Sequence, residues 1–404
     1  GVLVGLTNVG NVVGYERNSD GTLTPIEGKL YYRGYEISDL VNPILAEHRF
    51  GFEEIAFLLL SGRLPDREEL QSFCEQITDN MPLDPKTILN IIELEGTNVM
   101  NILARSVLEL YTFDSTPDDT SRDNLMRQSV ELISKFPTII AYAYNMLRHK
   151  TLGRSLHIRH SQEQLSIAEN FLYMLKGSYT KLEARTLDLL LILHAEHGGG
   201  NNSTFTVRVT SSTGTDTYSS IAAGIGSLKG PLHGGANIKV DNMVHHLKET
   251  ITNWEDEEEI RTYLRRMVAG EVYDKTGLIY GIGHAVYTLS DPRAVLLKKL
   301  ARDLAREKGR DREFAFMERL EKCAIETVYE IKGRKKTLCA NVDFYSGFVY
   351  ELIGLPPAIY TPLFAMARIV GWCAHRNEEL NFEGKRIIRP AYRSVSEECT
   401  YVPI

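Results

Sequence analysis

Four of the eleven histidines stand in surroundings that a packed histidine does not need. His194 and His197 lie in His-Ala-Glu-His-Gly-Gly-Gly-Asn-Asn-Ser, His233 in Pro-Leu-His-Gly-Gly-Ala-Asn, and His284 in Gly-Ile-Gly-His-Ala-Val-Tyr. Glycine beside such a side chain lets backbone approach a ligand and frees N–H groups as donors. A histidine in a loop that enters a helix feels the positive end of the dipole, which lowers its pKa and favours a neutral imidazole as hydrogen-bond donor. His233 fits this description, because a helical pattern begins at Ala236. Any one of these alone reads more simply as a turn histidine bonded to a backbone carbonyl. Three such loops in one chain favour chemistry. A metal does not fit the spacing: His194 and His197 are three apart rather than the four of a zinc helix, and His245 and His246 are adjacent and point different ways.

One carboxylate stands in an apolar and aromatic stretch, Asp343 in Ala-Asn-Val-Asp-Phe-Tyr-Ser-Gly. Burial would raise its pKa and make it a usable general base. Taken alone, the segment favours an N-cap, since a helical run starts at Phe344. Arg368 lies on an apolar stretch four residues after Phe364, hence on the same helical face. A buried arginine is costly unless an internal or a ligand carboxylate meets it. Arg293, in Ser-Asp-Pro-Arg, and Arg389, in Arg-Pro-Ala-Tyr, are ambiguous by themselves. The run Lys332-Gly333-Arg334-Lys335-Lys336 reads as a solvated loop or as a phosphate clamp. Gly281-x-Gly283 lacks the third glycine and the strand–helix context of a nucleotide fingerprint.

The elements that must carry these groups are mostly helical. Residues 1–35 alternate Val, Thr and Tyr with Gly and Asn, and Asp20-Gly21 is a turn signal, so two or three short strands are expected there. Helices are predicted at 52–60, 67–77, 87–94, 98–112, 121–134, 137–149, 163–176, 181–195, 236–249, 256–268, 292–308, 311–331, 344–353 and 361–380. Pro65-Asp66 opens the second of these, and Thr361 with Pro362 is the expected start of the last. No strand–helix alternation marks a doubly wound sheet, and no repeat marks a solenoid. In 404 residues, 46 Lys plus Arg against 53 Asp plus Glu leave a net charge of −7, without the basic footprint of a nucleic-acid binder. Five cysteines without a C-x-x-C pair read as reduced thiols, and a cytoplasmic location is expected. No apolar run approaches the ~20 residues of a membrane span, and the opening residues lack a signal-peptide pattern.

The ordered set Gly-Pro-Leu-His-Gly-Gly-Ala (230–236), Gly-Ile-Gly-His-Ala-Val-Tyr (281–287), Asp-Pro-Arg (291–293) and Asn-Val-Asp-Phe-Tyr-Ser-Gly (341–347) resembles the citrate synthase family, including 2-methylcitrate synthases. The resemblance runs from Gly28–Gly34 to Arg389-Pro390, nearly the whole chain. It implies a mainly α fold with a short N-terminal β segment. A large helical domain, 1–234 with 355–404, and a smaller one, 235–354, would hold the active site in the cleft between them. It implies that His233 hydrogen-bonds the acetyl thioester carbonyl, His284 protonates the oxaloacetate carbonyl and Asp343 takes the methyl proton. His197, Asn201, Arg293, Arg368 and Arg389 match the oxaloacetate-binding set. Arg389 would cross to the partner subunit's site in a homodimer. Arg334 and Lys336, with Gly281 and Gly283, match coenzyme A contacts. A further cation beside the adenine loop in some members is Thr288 here, so that contact is not carried over.

The implied activity is condensation of acetyl-CoA with oxaloacetate and water to citrate and CoA, with propionyl-CoA as the alternative acyl donor. No permanently bound cofactor, metal, nucleic acid or membrane partner is expected. The residue chemistry agrees. A thioester methyl is a weak carbon acid, and a carboxylate removes its proton only if the enolate oxygen is stabilised as charge develops. A dianionic electrophile calls for arginines. A structural or regulatory family member is disfavoured because all three catalytic positions are kept, and an oxidoreductase because the dinucleotide fingerprint is missing.

Overall fold

In the computed structural model, which describes residues 3–333, 337–384, 386–401 and 403, the chain opens with a small antiparallel sheet. Its strands are β1 (Gly10–Arg17), β2 (Leu23–Tyr32) and the two-residue β3 (Tyr35–Glu36), in that order. Asp20-Gly21 makes the expected hairpin: Thr22 donates its N–H to Asp20 Oδ1 at 2.9 Å, and Gly21 sits at φ +83°. The earlier apolar run, residues 3–7, forms no strand.

Sixteen α-helices follow among the described residues. The first eight are α1 (Ile37–Ala46), α2 (Phe52–Ser61), α3 (Arg67–Asn80), α4 (Pro85–Glu93), α5 (Val99–Leu110), α6 (Arg122–Leu152), α7 (Ile167–Lys176) and α8 (Lys181–His194). The others are α9 (Asn202–Ser211), α10 (Thr217–Lys229), α11 (Ala236–Thr250), α12 (Glu257–Val268), α13 (Pro292–Glu307), α14 (Asp311–Lys332), α15 (Asp343–Ile353) and α16 (Tyr360–Asn381). Local chemistry explains many of the starts. Asp66 with Glu69, Ser166 with Glu169 and Thr180 with Glu183 form reciprocal capping boxes that satisfy orphan N–H groups. The fold is mainly α.

Three departures from the sequence pattern have physical causes. The helices expected at 121–134 and 137–149 are one, because α6 runs through Pro137. Ile133, Phe136, Ile139 and Ile140 are fully buried around it, and that packing outweighs one missing hydrogen bond. Helices α9 and α10 are too rich in Ser, Thr and Gly to show a helical stripe. Their small residues are instead needed by α16. Gly224 lies against Val207 and Trp372, and Ser211, Thr217 and Ser220 offer hydroxyls to the buried guanidinium of Arg376 at 2.9–3.1 Å. Lastly, α16 starts at Tyr360, continuous with a single turn of 3-10 helix at Pro357–Ile359. Thr361 does not cap it but donates its hydroxyl to the Gly234 carbonyl at 3.0 Å.

Helix α16 is the centre of the molecule, packed by α2, α5, α6, α8, α9 and α10. Helices α11 and α15 pack together, as do α12 and α14, while α13 lies on α14 and α15 and also on α8 and β2. The β1–β2 hairpin presses on the loop that follows His284. A Cβ at Gly14 would meet the Val286 carbonyl at 2.3 Å, and one at Gly28 the Ser290 carbonyl at 2.2 Å. No helix among the described residues is long and apolar enough to cross a membrane.

Candidate active site

The end of α8, the start of α9, the loops before α11 and α13, and the first turns of α13 and α15 bring their polar groups to the middle of α16. Arg368 is the fixed point. It is fully buried, its Nε donates to the His194 carbonyl at 2.8 Å, and its Cζ lies 4.8 Å from the centre of the Phe364 ring, as the four-residue spacing required. Both its Nη atoms are buried with no partner among the described residues. Burial pushes this guanidinium down to about 10, and Arg293 adds to that, against the attraction of Glu196. Two bare N–H groups pointing into the interior ask for an acceptor, and a planar carboxylate is the shape that fills both.

The histidines around it are neutral donors, and their tautomers follow from backbone contacts. His284 Nδ1 accepts the N–H groups of Val286 and Tyr287, both at 3.1 Å. Its proton is therefore on Nε2. The ring stacks on Tyr287 at 4.7 Å and lies 5.1 Å from the His197 ring. His233 Nε2 accepts the backbone N–H of Ser203 at 3.3 Å, which leaves its proton on Nδ1. Burial and then Arg368 push His233 down to about 4. The helix whose positive end meets the ring is α9, not the α11 that follows His233 in sequence. His197 is held well below its ordinary value by burial, Arg293 and His284, and its Nε2 is buried with no partner among the described residues. His194 is a structural histidine. It closes α8, its Nδ1 lies 2.8 Å from the Leu190 carbonyl, and burial pushes it down to about 3.

Asp343 is the first residue of α15 and makes no capping bond, so the N-cap expectation gives way. Burial pushes its carboxyl up to about 6, against the pull of Arg293 and Arg368. It is tied to the His284 loop through the main chain. Gly283 donates to the Cys339 carbonyl at 2.8 Å, Asn341 donates to the Gly281 carbonyl at 2.9 Å, and Ile282 bridges Ala340. Gly281 and Gly283 take φ +81° and +97°, which favours glycine at both. The Asn341 amide reaches the Gly283 carbonyl at 2.9 Å, and its Oδ1 accepts the Asp343 N–H at 3.0 Å. Next to this loop, a cleft of about 360 Å3 is lined by Ile279, Ile282, Val328, Lys332 and Leu338. Arg334 and Lys336 lie outside the described residues. A roomier cleft, about 470 Å3, is lined by Phe57, Phe73 and Met126 of α2, α3 and α6, and none of the groups above faces it.

Arg293 is buried beside the same groups, with its Cζ 5.6 Å from the Tyr287 ring. Burial works against its charge, but Asp291 holds it above the ordinary arginine value. Asn201 precedes α9, and its Oδ1 accepts the Ser203 hydroxyl at 3.0 Å. Arg389 does not join the set in its own chain. It is exposed on the irregular segment 386–401, where the neighbouring Ile388 donates its N–H to Ser212 Oγ at 3.1 Å. Sequence reasoning missed three supports. Ser203 orients His233 and accepts the Trp372 indole N–H at 3.2 Å. Glu196, fully buried and 3.1 Å from His375, is held below the ordinary carboxylate range by His375 and Arg368 despite its burial, and so supplies the anion behind Arg368. Tyr287 lies against His197, His284 and Arg293. Its place in Gly-x-Gly-His-x-Val-Tyr was the available signal.

A family model described as "Citrate synthase, C-terminal domain" matches residues 1–391. The citrate synthase of Synechocystis sp. is 34% identical over 389 residues, covering 95% of this chain and 89% of that protein. 2-Methylcitrate synthase 1 of Corynebacterium glutamicum is also 34% identical over 389 residues, covering 94% and 93%. The solved citrate synthase of Thermoplasma acidophilum, a ternary complex with carboxymethyl coenzyme A and oxaloacetate, aligns with a TM-score of 0.81 at 28% identity, over 100% of this chain and 97% of that one.

Proposed function

Because the chain belongs to the citrate synthase family, we propose that it condenses acetyl-CoA with oxaloacetate and hydrolyses the product to citrate and free CoA. The observation that carries this reading is Arg368, a buried guanidinium whose Nη groups have no partner among the described residues, set among neutral histidines and a carboxyl raised to about 6. A substrate carboxylate answers that unmet pair of donors. Oxaloacetate would be held by His197, Asn201, Arg293 and Arg368, and by Arg389 of a second copy in a homodimer.

Asp343 takes a proton from the acetyl methyl group. The enolate oxygen forming on the thioester accepts the Nδ1–H of His233, a donor that is neutral and already oriented. The nucleophilic carbon attacks the ketone carbon of oxaloacetate, and the ketone oxygen takes the proton from Nε2 of His284. Water then adds to the thioester and the C–S bond breaks; of the two water protons and the one held by Asp343, one goes to the CoA sulfur, one restores Nε2 of His284 and one leaves as the new carboxyl ionises, so citrate and the CoA thiol depart from a reset site. Enolisation and condensation are assigned to side chains of the chain, with acetyl-CoA as a co-substrate. Gly281, Gly283, Arg334 and Lys336 would contact CoA. Residues 1–234 with 355–404 would form the larger lobe and 235–354 the smaller, with the site between them in a cytoplasmic enzyme.

A second reading, 2-methylcitrate synthase, is favoured by the Corynebacterium relative of that name, which is as similar as the citrate synthase of Synechocystis. Thiol release from acetyl-CoA and from propionyl-CoA, at saturating oxaloacetate, tests both. The expected result is an acetyl preference in kcat/KM of about 10–200-fold, the range one methylene commands in an apolar pocket. A propionyl preference replaces the first reading by the second, and no release from either overturns both.

A further inference from the structure

We propose that Asp291 is a positioning residue whose single carboxylate clamps the guanidinium of Arg293 and the turn that carries Asp343 into one rigid unit. The proposal rests on the citrate-forming reading of the site. Asp291 is buried at the N-cap of α13. Its Oδ1 accepts the Arg293 backbone N–H and the Arg293 Nε, both at 3.0 Å. Its Oδ2 accepts the Arg293 Nη2 at 2.7 Å and the Val342 N–H at 3.2 Å. Two acceptor positions on each oxygen are thus filled by four donors. Three belong to the first turn of α13. The fourth comes from the residue immediately before Asp343, 51 positions along the chain from Asp291.

Two consequences follow from this geometry. Asp291 occupies the Nε–Nη2 edge of Arg293, so the guanidinium is fixed in plane and Nη1 lies outside that pair, the position left for a substrate. A carboxylate bound there meets a donor that does not have to be ordered first. The same clamp sets the electrostatics of the base. Asp343 faces Asp291 and Arg293 of α13 and Arg368 of α16, with Tyr350 on its own helix. The negative charge of Asp291 raises Asp343 while the two arginines lower it, so Asp291 balances part of their pull on the base.

The test begins with the parent enzyme. No thiol release from either acyl-CoA with oxaloacetate overturns the functional reading and this proposal with it. In an active enzyme, Asp291→Asn keeps a capping acceptor and the side-chain volume but loses the charge and one pair of acceptor sites. Its KM for oxaloacetate should rise and its kcat fall, each by about tenfold or more, the effect of losing one charge-assisted hydrogen bond. The acid limb of its pH–kcat profile should move to lower pH, because Asp343 has lost a neighbouring negative charge. A purely structural role would lower stability and kcat and leave that limb in place, so an unmoved limb in a cooperatively melting Asp291→Asn protein overturns the proposal. Should that variant fail to fold, Val342→Pro decides. Position 342 has φ −59°, which suits proline, and the change removes the N–H that reaches Asp291 while sparing the Arg293 pair. A lower kcat with KM for oxaloacetate within about twofold of the parent supports the clamp, and a parental kcat overturns it.

Discussion

Replacing Asp343 by Asn tests the base through two readouts that must move in opposite directions. The carboxyl titrates near 6 because burial outweighs the attraction of Arg293 and Arg368. Such a group is about nine-tenths ionised at pH 7 and about one-tenth at pH 5, so turnover limited by this base should fall about tenfold over that span. An aspartate at its ordinary 3.8 would stay almost fully ionised throughout. The Asn variant has no base at any pH and should lose about 10²-fold or more in kcat. The same burial opposes folding. Between 3.8 and about 6 the unfolded chain has released this proton and the folded chain has kept it, so the native state binds more protons and stability falls as pH rises through that window. The loss amounts to about 3 kcal/mol at pH 8 and about half of that at pH 5. Asp343→Asn escapes it, so the inactive variant should be the more stable protein, by a margin that shrinks on acidification. Urea denaturation of both proteins at pH 8 and pH 5, at one protein concentration, measures that margin alongside the kcat profile. A folded Asn variant with more than a tenth of parental turnover would refute the assignment of the base. A stability difference that is absent, or the same at both pH values, would refute the burial argument.

His233→Ala should lower kcat by about 10²–10³, the usual cost of an oxyanion donor, with oxaloacetate affinity little changed in a calorimetric titration. A collapse of oxaloacetate binding with thioester affinity intact would mean that the two histidine roles are exchanged. Arg389→Leu should weaken oxaloacetate binding about tenfold or more, as expected for one charge-assisted bond, although the residue is exposed in its own chain. Mixing it with Asp343→Asn protomers should recover part of the activity, since each heterodimer then has one site free of both defects. No recovery after demonstrated subunit exchange would show that Arg389 does not serve a partner.

The site was legible where a short motif had to carry chemistry. Gly-flanked histidines, a lone carboxylate in an apolar run and the Phe364–Arg368 spacing all lead to groups that the fold brings together. What could not be read was the support beneath them. His233 depends on the N-terminus of α9, and α9 has no apolar stripe because its serines and threonines serve neighbours rather than the core. His194 shares one segment with His197 and reads with it as a candidate for chemistry, yet its ring lies against the carbonyl one turn back in α8. The segment around Asp343 satisfied the rule for an N-cap, and only burial distinguishes a capping aspartate from this one. Pro137 and Thr361 likewise followed local rules that tertiary contacts overrode.

The pairing of residues 281–283 with 339–341 separates two properties that are often entangled in enzymes. The offset between His284 and Asp343, the proposed acid and base, is set by backbone bonds and two glycine conformations. Side chains facing the acyl group can therefore be exchanged without displacing the proton donor from the proton acceptor. On the proposed roles, an enlarged pocket would inherit the acid–base pair intact, and single substitutions would then suffice to shift acyl preference between short thioesters. An insertion or deletion of one residue in either paired segment has no such latitude, because it changes the register that holds the pair.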